Sequence, residues 1–287
     1  MDKLPAYILQ AVNEYKPVEV DGLMFYPFKV RHYEQFLIAK KSIGFMTQQL
    51  PIELMSMPLL SSLFLTDYLM AVSGEQSKGL FTSVLVALAY SLRLTDGGTV
   101  EEACNKFELI VDPDDHSCLK AVRFILNGEE IYDITPIKFA RIRTIIAAQN
   151  GIEIIDEDAN PELVQAEYDL AESKALKLNF SPHEMVHSVA ALTNTDESEI
   201  YDWPILKLHN RMQAFKRVFD YVICGIGESQ GTKWKGGNPS PNPWFDRTKD
   251  GSPSLIGIDS FAGGQTAQTI REGEAARRYN ESDSYEE

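Results

Sequence analysis

The chain has 287 residues and a mass of 32.3 kDa, enough for one large domain or two ordinary ones. Hydrophobic residues make up 44 %, which excludes wholesale disorder. With 42 acidic and 27 basic residues the net charge is −15, so phosphate backbones and anionic lipid repel it, and neither nucleic acid nor membrane is expected as a partner. Three scattered cysteines, Cys104, Cys118 and Cys224, form neither a disulfide framework nor a CxxC metal site and point to a reducing compartment.

The first residues, MDKLPAYILQAVNEYKP, do not read as a signal peptide, because Asp2 and Pro5 interrupt them and no apolar core ends in a small-residue cleavage site. Val18 to Val20 and Leu23 to Tyr26 flank Asp21-Gly22, which predicts a hairpin closed by a type I′ turn with two positive φ angles. A helix follows, with Tyr33, Phe36 and Leu37 on one stripe and Lys40-Lys41 near its end.

Helical territory is expected next. Pro51 and Pro58 mark starts or breaks, and Leu59 to Val72 and Leu80 to Leu94 read as largely buried helices, the second ended by Asp96-Gly97-Gly98. Four of the eight methionines, Met46, Met55, Met57 and Met70, fall in this region. Flexible thioethers suit a surface that accepts varied apolar helices, and they also serve as ordinary core filler. Asp112-Pro113-Asp114-Asp115-His116 lacks the frame of a calcium-binding loop and is read as an acidic loop.

A second hairpin is predicted from Val122 to Ile134 around Asn127-Gly128. Thr135 then caps a helix with Pro136 at its first position and Phe139, Ile142 and Ile146 on its apolar face. The two stretches share a Tyr four residues after the Gly (Tyr26 and Tyr132), which fits an internal repeat, but with so little identity a common hairpin–helix unit is the preferred reading.

An acidic linker at Asp156-Glu157-Asp158 precedes an acidic amphipathic helix from Pro161 to Ser173. His183-Glu184-Met185-Val186-His187 matches the H-E-x-x-H pattern, in which two imidazoles one turn apart hold Zn²⁺ and the Glu serves as base. The same residues belong to Ser181-Pro182-His183-Glu184, a capping box with Pro at the first helical position. The capping reading is preferred, because His183 would lie at the very start of the helix and no third ligand stands in a recognisable motif. A zinc-dependent hydrolase through His183, Glu184 and His187 remains the minor alternative, and neither catalytic residues nor a cofactor are assigned.

The last long helix is expected from about Pro204 to Ile226. Its stripe of Leu208, Met212, Phe215, Phe219, Val222 and Ile226 fits one packed face, and Gly225 and Gly227 fit its C-terminal end. From Gly231 onward the sequence turns glycine- and proline-rich and reads as an extended or disordered tail. Trp234, Trp244 and Phe245 are expected to anchor that tail on the body or on a partner.

The expected fold is α+β, predominantly α-helical, with two β-hairpin–helix units and a flexible C-terminal tail. Three regions are distinguished: 1–155, 156–228 and 229–287.

GLMFYPFKVRHYEQFLIAKKSIGFMTQQLP (22–51) and SPHEMVHSVAALTNTDESEIYDWPILKLHNRMQAF (181–215), followed by GGNPSPNPWFDR (236–247), resemble the small acidic tail-assembly chaperones of tailed phages and prophages of Gram-positive bacteria. The resemblance covers about a third of the chain and rests on the order of elements. It implies a non-enzymatic protein of the bacterial cytoplasm that holds a long helical tape-measure protein, or another phage tail protein, during virion assembly. The Met46–Met70 region would then be the client surface. This chain is longer than the small family members, which leaves a virion structural subunit as an alternative and a homo-oligomer as a further expectation.

Overall fold

A computed structural model describes residues 4–96, 99–126, 130–154, 181–232 and 240. The fold is α+β and mainly helical. The helices are α1 (Ala6–Asn13), α2 (Tyr33–Ile43), α3 (Ile52–Met55), α4 (Leu59–Ser73), α5 (Leu80–Ser91), α6 (Val100–Cys104), α7 (Pro136–Asn150), α8 (Pro182–Thr193), α9 (Glu197–Tyr201) and α10 (Ile205–Ser229). The strands β1 (Val18–Val20) and β2 (Leu23–Phe25) form one antiparallel pair, and β3 (Phe107–Val111), β4 (Leu119–Leu126) and β5 (Glu130–Ile134) form an antiparallel sheet in that order.

The first hairpin closes as its turn residues require. Asp21 and Gly22 take φ of 52° and 79°, and Val20 pairs with Leu23 across them. Period-two alternation sends Val18, Val20, Leu23 and Phe25 into the core and leaves Glu19 and Met24 outside. In the second hairpin Leu126 pairs with Glu130, so three residues separate the strands, one more than a two-residue turn needs. The expected type I′ turn at Asn127-Gly128 itself lies outside the described residues. The helix-only expectation for the region between the hairpins is corrected here: α6 and β3 intervene, and β3 gives the second hairpin a third strand that the first lacks. The acidic loop at Asp112–His116 is the β3–β4 connection. Asp112 accepts from the Asp114 N–H at 3.0 Å and pairs with Lys120 at 2.8 Å, and its carboxyl is held below the ordinary range first by that Lys120 bond.

α5 is the centre of the core. It is apolar on every side, and every residue but Thr82 is buried, as a helix without a polar face must be. Its start has no side-chain cap of its own. Asp67 of α4 supplies one by accepting from the Phe81 N–H at 2.8 Å. α2 and α4 pack on α5, and α7 closes the core with Phe139, Ile142, Ile145 and Ile146. Thr135 caps α7 and Pro136 occupies its first turn, as expected.

The stretch Tyr26–Val30, just after the first hairpin, gathers distant parts of the chain. The Tyr26 N–H donates to Ser91 O at 2.7 Å, the Phe28 N–H to Asn150 Oδ1 at 2.8 Å and the Val30 N–H to Trp203 O at 2.9 Å. The Ile205 N–H returns a bond to Phe28 O at 2.9 Å. Lys29 and Arg31 both reach Asp202, at 2.8 and 2.6 Å. The region from α8 to the start of α10 therefore shares one core with the first 154 residues, through Met185, Val186, Val189, Ile200, Trp203 and Leu208. The expected linker at 156–158, the helix at 161–173 and the tail from 233 onward, apart from Ser240, lie outside the described residues.

Candidate functional site

The H-E-x-x-H segment opens α8. Ser181 Oγ accepts from the Glu184 N–H at 3.2 Å, Glu184 Oε2 accepts from the Ser181 N–H at 3.0 Å, and Pro182 stands in the first turn. This is the complete capping box, so the Glu184 carboxylate is engaged by the helix's own backbone. The two imidazoles are exposed and turn to different neighbours. His183 Nδ1 meets the Tyr201 hydroxyl at 2.6 Å, and His187 Nδ1 meets Glu197 Oε1 at 2.6 Å. Both neighbours come from α9, which packs beside α8. Among the described residues no group of three or more His, Cys, Asp or Glu side chains is placed to hold a metal ion. A Ser181→Ala change is expected to destabilise the protein by about 1 kcal/mol through the lost cap, measured as a shift in urea unfolding. An unchanged midpoint would mean the box adds nothing to the fold.

The four methionines differ in exposure. Met55 is exposed on α3, whereas Met46, Met57 and Met70 are half-buried. Around them the exposed apolar surface comes from other residues: Ile52 at 81 % on α3, and Leu69 at 50 % and Val72 at 69 % on the distal half of α4. α4 begins buried on all sides, from Leu60 to Phe64, and then emerges from the body. Asp67 is its one charged residue, and that carboxylate already caps α5. Gly74, in the left-handed region at φ 75°, ends the helix, and the Glu75 N–H donates back to Met70 O at 2.9 Å. The signal missed in sequence was the absence of charge along α4.

α10 departs from expectation in two respects. It runs to Ser229, through Gly225 and Gly227, and its C-terminal glycine is Gly231 at φ 86°. There the Gly231 N–H bonds Glu228 O at 3.0 Å and the Thr232 N–H bonds Gly227 O at 2.9 Å, a Schellman ending. The stripe predicted as one packed face is packed only in part. Leu208 is buried and Met212 and Phe215 lean on the core, but Phe219, Val222 and Ile226 are 51, 47 and 51 % exposed. Past Phe215 this face of the helix is no longer covered by the core, although Cys224 on another side of it is buried. Periodicity names the apolar face of a helix but does not say how far the body reaches along it.

Trp234, Trp244 and Phe245, the expected tail anchors, lie outside the described residues. Among the described residues no helix is long and apolar enough to cross a membrane. No family model, no curated protein and no solved structure matches this chain.

Proposed function

We propose that the protein is a non-enzymatic virion-assembly factor, a tail-assembly chaperone of a tailed phage, that acts in the bacterial cytoplasm and holds an apolar helical client such as a tape-measure protein. One observation carries this reading: Ile52 and Met55 on α3, and Leu69 and Val72 on a nearly uncharged α4, are exposed on a chain whose net charge is −15. Exposed apolar surface on a strongly charged body suits a holdase. The patches take up apolar side chains of the client, and like-charge repulsion keeps the loaded complexes apart. α4 has 15 residues, a length of roughly 22 Å, matched to several turns of a client helix. The half-buried, flexible Met70 and Met57 flank these positions and can adjust to clients of different shape.

The test is co-expression with a tagged tape-measure protein, followed by pull-down. The native chain is expected to be retained, and the Leu69→Asp/Val72→Asp variant to lose at least about tenfold in retention, because a carboxylate would have to be desolvated at each contact. Equal retention of the variant would remove α4 from the client surface. Mass spectrometry of purified particles separates the two virion roles: a chaperone is absent from them, whereas abundance there would make the protein a structural subunit.

A further inference from the structure

We propose that the distal half of α10 is a self-association surface, on which a second copy of this chain lays its own α10 antiparallel, centred on Val222. The apolar stripe of α10 keeps one face from Leu208 to Ile226 in steps of four and three. Its first half is covered by the chain's own core, and its second half, Phe219, Val222 and Ile226, flanked by Val218 and Ile223 at 43 and 62 % exposure, is bare. Among the described residues the core does not cover these side chains.

Charge selects a second copy as the occupant. The chain as a whole is at −15 and two copies repel in most orientations. The segment from Lys216 to Ser229 is balanced, with Lys216 and Arg217 at its start, Asp220 inside and Glu228 at its end. Antiparallel pairing about Val222 sets the basic start of one helix level with the acidic end of the other, and it opposes the two helix dipoles. A parallel pairing would set like charge beside like charge and drive the two bodies into each other. An antiparallel one places each body beyond the tip of its partner's helix.

Gly225 is an independent pointer. A glycine inside a helix costs about 1 kcal/mol relative to alanine, and among the described residues a Cβ built on Gly225 meets nothing within 4 Å beyond its chain neighbours and its own helix backbone. Packing among the described residues therefore does not account for it. Three residues from Val222 on the flank of the bare stripe, it lets a second backbone approach closely. The exposed side chains offer on the order of 500 Å² per copy, so a dimer buries roughly 1,000 Å², the lower bound for a specific interface. The two-fold makes the contact self-complementary and closed.

Analytical ultracentrifugation of the full chain tests this. A concentration-dependent monomer–dimer equilibrium in the micromolar range is expected, and Val222→Glu/Ile226→Glu should weaken it at least about tenfold while circular dichroism stays native, since both sites are exposed and Glu favours helix. A native chain that stays monomeric at all concentrations overturns the proposal, as would happen if residues 233–287 covered the stripe. So does a dimer that the variant leaves intact. In a Cys224→Ser background, Val222→Cys should link two copies on oxidation. Ile226→Cys should not, because antiparallel pairing separates those two positions by about 12 Å along the axis. Cross-linking at both would mean parallel helices and overturn the arrangement.

Discussion

Replacing Asn150 with alanine is expected to destabilise the protein by about 3 kcal/mol. Asn150 is the last residue of α7 and is fully buried. Its Oδ1 accepts from the Phe28 N–H at 2.8 Å, and its Nδ2 donates to Ile146 O at 2.8 Å. Phe28 is 2 % exposed, so once Oδ1 is gone its N–H has neither a protein partner nor water. The loss of an acceptor from a buried donor carries the full desolvation penalty, and the vacated volume adds a cavity contribution.

The damage does not stay local. Phe28 O receives the Ile205 N–H, and Val30 two residues on donates to Trp203, so the same strip of backbone seats the start of α10. Next to Asn150, Gln149 donates to Phe25 O at 3.0 Å and Lys16 O at 3.3 Å, which ties the base of the first hairpin to the same end of α7. Urea unfolding at neutral pH checks the value, and a loss below about 1 kcal/mol would mean the Phe28 N–H finds another partner. Asn150→Asp is the informative companion. It retains an acceptor for Phe28 but sets a second oxygen against Ile146 O, so its deficit should shrink on acidification as the carboxyl takes up a proton and becomes a donor.

These contacts mark the limit of what could be read from sequence. Asp21-Gly22, Thr135-Pro136 and Ser181-Pro182-His183-Glu184 were legible because each is local: the turn needs two positive φ angles and the caps need an oxygen at a fixed offset, and both conditions are met within four residues. The Asn150–Phe28 bond spans 122 positions, and no short pattern encodes it. β3 was missed for a different reason. Phe107–Val111 has no clean inside–outside alternation, with Glu108 and Leu109 both exposed, so its period-two signal is absent. For the candidate surfaces, the residue types were visible and their covering was not. The α10 stripe reads the same whether a core or a second protein lies on it, and the methionines of residues 46–70 were more conspicuous than Ile52, Leu69 and Val72, which are left bare beside Met55.

His209 is expected to make the protein acid-sensitive between pH 6.5 and 4. It lies in the first turns of α10, is 6 % exposed and meets the edge of the Tyr33 ring at 6.0 Å. Burial, reinforced by the positive charge of Lys40, pushes its pKa from 6.5 down to about 4. In the unfolded chain the imidazole is free to take a proton at its ordinary pKa. Below about pH 6.5 the unfolded state therefore binds more protons than the folded one, and stability falls with pH until the folded-state pKa near 4 is passed. Between pH 7 and pH 5 the loss from this one group is about 2 kcal/mol. Asp112, Asp133, Asp196 and Asp202, whose carboxyls are held below their ordinary range chiefly by hydrogen bonds from Lys120, Arg123, Ser198 and Lys29, lose their contributions at lower pH, as each is protonated. Burial lowers the pKa of His32 as well, so the first part of the acid limb is assigned to the two histidines, with His209, the more deeply buried, as the larger contributor. A His209→Phe variant keeps an aromatic side chain against Tyr33 and removes this titrating group, so its urea midpoint should fall distinctly less from pH 7 to pH 5 than that of the native protein, with His32 accounting for the remaining slope. Equal slopes in the two proteins over this interval would place the acid sensitivity elsewhere.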